Sequence, residues 1–195
     1  MSALEPLVEA LDAGGVVGVP TDTVYGIACR PDAAAALARV YAVKRRPPEM
    51  AVGLLAASAE QLEPLVTMAA TARRLAAAFW PGGLSLVLPA TPGSGLAVPR
   101  PGGTLMVRVP GHPLLRELLR RTGPLAVTSA NRHGEPACTT AAEVAERLAG
   151  ELDALLDGGP GDGRGSTIID CSEDPPRVLR TGPVSFDQLR PYLGG

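Results

Sequence analysis

Apolar positions recur along this chain in two rhythms, one helical and one extended. Positions 4, 7, 8 and 11 are Leu, Leu, Val and Leu, the stripe of an amphipathic helix, and Gly14-Gly15 end it. Residues 16–19 form a short apolar strand stopped by Pro20. The alanine-rich run 33–43, carrying Leu37, Val40 and Tyr41, predicts a second helix. A buried strand is predicted over 54–57. Ser58 with Gln61 three residues later has capping-box spacing, so a helix is expected to start there. A helix over 71–79 stops at Trp80-Pro81-Gly82-Gly83, and strands follow over 84–88 and 104–109. Residues 113–121 read as a helix, 125–128 as a strand running into Ser129-Ala130-Asn131, and 140–148 as a helix capped by Thr139 or Thr140. The stretch 152–156 is apolar, 167–169 and 178–179 are short strands, and 186–193 is a last helix. This alternation predicts a layered α/β fold. Glycine turns between late strands point to a twisted mixed β-sheet with flanking helices. With no internal repeat and no long linker, residues 1–195 read as a single domain.

Composition narrows the class. Of the 195 residues, 46% are hydrophobic, enough for a real core, and the net charge is −2. A pI of about 5.7 argues against life on a nucleic-acid backbone, and 3% aromatics leaves few stacking platforms. Three distant cysteines, Cys29, Cys138 and Cys171, suit a reducing compartment better than a disulfide scaffold. The acidic start is no signal peptide, and no apolar run approaches the roughly 20 residues of a membrane span. A soluble cytoplasmic protein is expected. The glycines and prolines fall between periodic segments, as loop punctuation.

Five polar clusters follow or interrupt apolar strands. Pro20-Thr21-Asp22-Thr23-Val24-Tyr25-Gly26 offers hydroxyls and a carboxylate, as a ligand site or as an ordinary capped turn. Lys44-Arg45-Arg46, stiffened by Pro47-Pro48, is either a phosphate clamp or a solvated charge run at a helix end. On strand 104–109, period two puts Thr104, Met106 and Arg108 on one face. An arginine there needs an anion, from the protein or from a substrate. Thr128-Ser129-Ala130-Asn131 presents small polar groups at a strand end. The glycine-rich stretch 158–167 reads as an anion cradle or as a flexible linker, and it lacks the Walker pattern. Arg180 adds a cation at the end of the next strand. With only His112 and His133, a histidine-rich metal centre is excluded, and His112 between Gly111 and Pro113 reads as a turn residue.

Taken in order, the segments GGVVGVPTDTVYGIAC, VYAVKRRP, FWPGGLSLVLP, VRVPGHP, GPLAVTSANRHGEP, GSTIID and RVLRTG resemble the YrdC-like family, the threonylcarbamoyl-AMP synthases, in their short single-domain form. The resemblance implies a YrdC-like open α/β fold. It implies that Lys44 and Arg46 are the catalytic cations and contact nucleotide phosphates. Thr104, Ser129, Asn131 and Arg180 would lie by ATP, while Thr23, Arg108 and Ser166 would lie by threonine. Departures are Met50 for an Asn and Leu55 for a His of longer relatives, His133 for a Ser, and Ala137 where a Ser often stands. The implied substrates are ATP, L-threonine and bicarbonate or CO2, with Mg2+ accompanying ATP and no dedicated metal site. The implied product, threonylcarbamoyl-AMP, passes to a downstream tRNA-modifying threonylcarbamoyl transferase. Direct tRNA binding is expected to be weak or absent, and no membrane partner is expected. A non-catalytic RNA-binding paralogue and a carbamoyl-adenylate-forming enzyme are the alternatives, separable by pyrophosphate release that requires threonine and bicarbonate.

Overall fold

A computed structural model describes residues 2–48 and 50–193. In chain order the elements are α1 (Glu5–Asp12), β1 (Val17–Val19), β2 (Gly26–Cys29), α2 (Ala34–Lys44), β3 (Gly53–Leu55), α3 (Ala70–Phe79), β4 (Leu84–Pro89), β5 (Thr104–Arg108), α4 (Pro113–Thr122), β6 (Leu125–Ser129), α5 (Ala141–Arg147), β7 (Ala154–Leu155), β8 (Thr167–Asp170), β9 (Arg177–Arg180) and α6 (Phe186–Leu193). The strands join in one sheet, ordered β7-β1-β2-β6-β3-β5-β4-β8-β9. Pairs β1–β7, β3–β5 and β4–β8 are parallel and the others antiparallel, so the expected mixed sheet is found.

Local signals explain most element ends. α4 starts with Pro113 in its first turn and His112 at its N-cap, and it stops at Gly123, whose φ is 77°. α5 carries a complete capping box: Thr140 accepts from the Glu143 N–H while the Glu143 carboxylate reaches back to the cap backbone. No helix starts at Ser58. Residues 59–66 make successive turns, because Pro64 has no N–H to continue a helical ladder. Gln61 still reaches back, accepting from the Ala57 N–H at 2.8 Å. β2 was hidden in the sequence: four residues after a turn signal carry little periodicity, and pairing with both β1 and β6 makes them a strand.

The helices cover the two sheet faces unequally, and that places the site. On one face α2, α3, α5 and α6 bury Leu37, Val40, Leu75, Val144 and Leu189 against Ile27, Leu54, Leu86 and Val107. On the other face α1 and α4 bury Leu7, Leu11, Leu115 and Leu118 against Val17, Ala28 and Leu125. This second pair reaches the β7–β1–β2–β6 side, and β5, β4, β8 and β9 are left without a helix on that face. Leu54, on central β3, is fully buried under the first layer. Leu54→Ala is expected to cost about 2–5 kcal/mol of unfolding free energy, read from the urea midpoint at unchanged slope.

Candidate functional site

Over the bare half of the sheet lies a cavity of about 750 Å3. Its floor is apolar, with Leu55, Met106 and Val127 contributing, and polar clusters stand at two sides.

The first cluster forms where α2 ends. Arg45 adopts the left-handed conformation (φ 50°, ψ 48°), and its N–H and that of Arg46 close onto the Ala42 and Tyr41 carbonyls. This reversal separates the three cations. Lys44 is buried, Arg45 is exposed, and Arg46 returns to the cavity wall. Lys44 Nζ donates to the Ser129 carbonyl at 2.5 Å, the Asn131 carbonyl at 2.9 Å and Asn131 Oδ1 at 3.0 Å. Asn131 Nδ2 in turn donates to the Arg132 and Glu135 carbonyls, both at 2.8 Å, which fixes the amide's orientation. The loop also caps α2. Arg132 donates to the Val43 carbonyl at 2.9 Å, and the His133 N–H donates to that of Lys44 at 2.7 Å. Burial, and then the positive charge of Arg46, pulls the Lys44 ammonium down to about 8. Its oxygen acceptors, Ser129 Oγ at 3.4 Å being a fourth, use all three N–H bonds and so favour the charged form.

The second cluster centres on Arg108, whose protein partner is the carboxylate of Asp22. Nη2 donates to Asp22 Oδ1 at 2.6 Å, Nη1 to Thr23 Oγ1 at 2.9 Å, and Nε to the Gly82 carbonyl at 2.8 Å. Three of the five guanidinium hydrogens are spent and two remain. Thr21 gives its one hydroxyl hydrogen to the Val24 carbonyl at 2.7 Å. In its 2.9 Å contact with Thr23, the hydrogen must therefore come from Thr23. Thr23 thus presents a lone pair, and no hydrogen, to a ligand. Beside this cluster Arg180 Nε donates to the Ser166 carbonyl at 2.8 Å and Nη2 to Ser166 Oγ at 3.2 Å, and burial lowers its pKa.

The glycine-rich stretch is not a free linker. Several of its N–H groups are taken by the protein: Gly158 by the Tyr25 hydroxyl, Gly159 by Asp157, Gly161 by the Thr139 carbonyl and Gly163 by the Thr23 carbonyl, while Gly165 and Ser166 line the cavity. Tyr25 donates back to the Gly159 carbonyl at 2.9 Å, and His112 Nε2 contacts the Gly158 carbonyl at 3.1 Å. Only glycine fits at 161, because a Cβ there would stand 2.4 Å from the Thr23 carbonyl oxygen. The loop is a pinned wall, and His112 is a cap and a clamp.

Thr23, Lys44, Arg46 and Arg108 all line the cavity, together with Ser129, Asn131, Ser166 and Arg180. Thr104 is the exception. It lies one side-chain step beyond Met106 at the start of β5, and its hydroxyl donates to the Pro101 carbonyl at 2.8 Å. The departures Met50, Leu55, His133 and Ala137 also lie at the cavity wall, and Arg46 Nε contacts Met50 Sδ at 3.3 Å. Sequence reasoning missed Ser85, a lone polar residue in an apolar strand, which was a usable signal. Among the described residues no three His, Cys, Asp or Glu side chains converge on a metal position, and no helix is long and apolar enough to cross a membrane. Cys29 and Cys171 are buried, and burial pushes their thiols up to about 12 and about 11.

The Sua5/YciO/YrdC family, described as telomere recombination, matches residues 9–182. A putative threonylcarbamoyl-AMP synthase of Mycobacterium tuberculosis is 43% identical over 189 residues, covering 96% of this chain and 87% of that protein. The threonylcarbamoyl-AMP synthase of Bacillus subtilis is 38% identical over 184 residues, 92% of this chain and 53% of that protein. Among solved structures, Sua5 of P. abyssi complexed with L-threonine superposes with a TM-score of 0.90 at 35% identity. That match covers 100% of this chain, which spans only 58% of the archaeal one.

The cationic wall makes a pH prediction. Inorganic tripolyphosphate is expected to bind the unliganded protein less tightly as pH rises through about 8, because Lys44 loses its proton there. Lys44→Met removes that titration. Calorimetry of both proteins between pH 7 and 9.5 should show their affinity ratio falling by up to about tenfold per pH unit above 8.

Proposed function

This chain belongs to the Sua5/YciO/YrdC family, and on that premise we propose that it makes threonylcarbamoyl-AMP and pyrophosphate from L-threonine, bicarbonate or CO2, and ATP. The observation that carries this reading is the division of one cavity into two anion-receptive halves. Lys44, held on the Ser129–Asn131 frame, and Arg46 supply positive charge for nucleotide phosphates, and Arg180 adds to it from beside the Arg108 cluster. Arg108 keeps two hydrogens for an amino-acid carboxylate, and Thr23 keeps a lone pair for the amine beside it. Thr104, on the same face of β5 as Met106 and Arg108, is assigned to the nucleotide side.

The chemistry asks for positioning and charge neutralisation more than for a strong base. Threonine's amine nitrogen forms a bond to the carbon of bicarbonate or CO2. From bicarbonate the neutral amine gives a carbamate and one water. A carbamate oxygen then bonds the α-phosphorus of ATP as the bond to the β,γ-phosphates breaks, and pyrophosphate leaves. Lys44, Arg46 and Arg180 offset the charge gathering on the phosphoryl oxygens. The hydroxyl, amide and cationic lining fits a polyphosphate and not a bare metal ion. Mg2+ therefore belongs to the nucleotide, where it supplies further charge neutralisation. The adenylate then passes to a tRNA-modifying transferase in the cytoplasm. The net charge of −2 gives this chain little long-range attraction for tRNA itself.

Pyrophosphate release that requires threonine, bicarbonate and ATP together tests the proposal; release without threonine overturns it. Removing a charged partner of a desolvated anion costs about 2–5 kcal/mol. Arg46→Ala is thus expected to raise KM for ATP at least about tenfold, while exposed Arg45→Ala leaves it within about twofold. Arg108→Ala should raise the threonine requirement far more than the ATP requirement, as measured by titrating each substrate. It should also lower the melting temperature, because Asp22 loses its partner.

A further inference from the structure

β4 carries one polar side chain in the run Leu84-Ser85-Leu86-Val87-Leu88. Ser85 is buried, lines the cavity, and is given no role by the division into phosphate and carboxylate sides. Its neighbours lie along one row of the sheet. β4 pairs with β8 so that Ser85 faces Ile168, and β8 pairs with β9 so that Ile168 faces Arg180. Continuing the β4–β5 register one step past Leu86–Val107 brings Ser85 beside Arg108. Paired residues share a face, so Arg108, Ser85, Ile168 and Arg180 stand side by side over the cavity.

Hydrogen counting says what this row can recognise. Ser85 Oγ and Ser166 Oγ are 2.8 Å apart, and Arg180 already donates to Ser166 Oγ. The two serines own two hydroxyl hydrogens, and one lies between them. The other hydrogen, with unused lone pairs, faces the cavity. A group that donates and accepts at once, such as an alcohol, satisfies both. Ile168 beside them gives apolar surface, and Arg108 on the other side attracts a carboxylate.

We propose that Ser85, with Ser166, is a specificity-determining residue that reads the side-chain hydroxyl of a small β-hydroxy amino acid whose methyl group rests on Ile168. This deepens the reading of the chain as a threonine-using enzyme and rests on it. A site built to hydrogen-bond a hydroxyl discriminates strongly against its absence. L-threonine and L-2-aminobutyrate differ only by that hydroxyl.

Isothermal titration of both amino acids into wild type, Ser85→Ala and Ser85→Thr reads the subsite without turnover. Wild type should prefer threonine. Ser85→Ala should lose about tenfold of that preference, the worth of one hydrogen bond, with KM for ATP unchanged. Ser85→Thr keeps the hydroxyl and should keep the preference. If Ser85→Ala does not fold, Ser85→Cys makes the same comparison, since a thiol fills the space and bonds weakly. A wild type without the preference, or a hydroxyl-free variant that retains it, overturns the proposal. A rise in KM for ATP matching the loss of threonine would assign Ser85 to the nucleotide side and overturn it too. Intact threonine preference without pyrophosphate release would count against the reaction and not against the subsite.

Discussion

The contact between Arg108 and Asp22 is the constraint around which this molecule is arranged. Arg108, only 5% exposed, stands at the end of a central strand and ties three separate segments together. They are the polar loop after β1 through Asp22 and Thr23, the turn before β4 through the Gly82 carbonyl, and β5, which carries the arginine. Burial disfavours its charged form and Asp22 opposes that. Breaking such a pair by removing one partner costs about 3–5 kcal/mol. The desolvated charge is therefore also the one that faces the cavity, and the fold holds it ready for an anion without leaving it bare.

Lys44 solves the same problem by other means. Among the described residues its hydrogen-bond acceptors are not carboxylates but carbonyl, amide and hydroxyl oxygens gathered from the end of β6 and the loop beyond it. That loop closes the C-terminus of α2, so the helix end and the polar strand end stabilise each other. A cation surrounded by neutral dipoles keeps its full charge available to a polyphosphate, where an ion pair would have cancelled it. The two halves of the cavity thus differ in kind: one arginine is balanced by a protein carboxylate, and one lysine is solvated by the backbone.

How much of this could be read from the sequence follows from physical range. Helices with caps and stripes, such as α4 and α5, announce themselves within ten residues. β2 did not, because its identity depends on two partners distant in sequence. The cations at 44, 46, 108 and 180 stood out because charge beside apolar runs needs explanation. Their partners did not, since no local pattern says that Arg108 meets Asp22 or that Gly163 and Gly161 spend their N–H groups on the Thr23 and Thr139 carbonyls. Thr104 shows the reach of alternation: it assigns the face of β5 that Thr104 shares with Met106 and Arg108, while the bond from its hydroxyl to the Pro101 carbonyl depends on the turn before the strand.

The cavity's walls are drawn from almost the whole chain, beginning with Thr21 and ending with Arg180. Synthesis proceeds from the N-terminus, and β4 must wait for β8 as its parallel neighbour on that side. A ribosome-bound chain that has emitted α1 through α5 would hold most of the buried carbon, yet no closed pocket and no Arg180. Ligand-linked stabilisation, which acts only on the state that binds, arrives with the β8–β9 hairpin. The segment that carries this hairpin therefore decides whether metabolites in the cell can help the newborn protein stay folded.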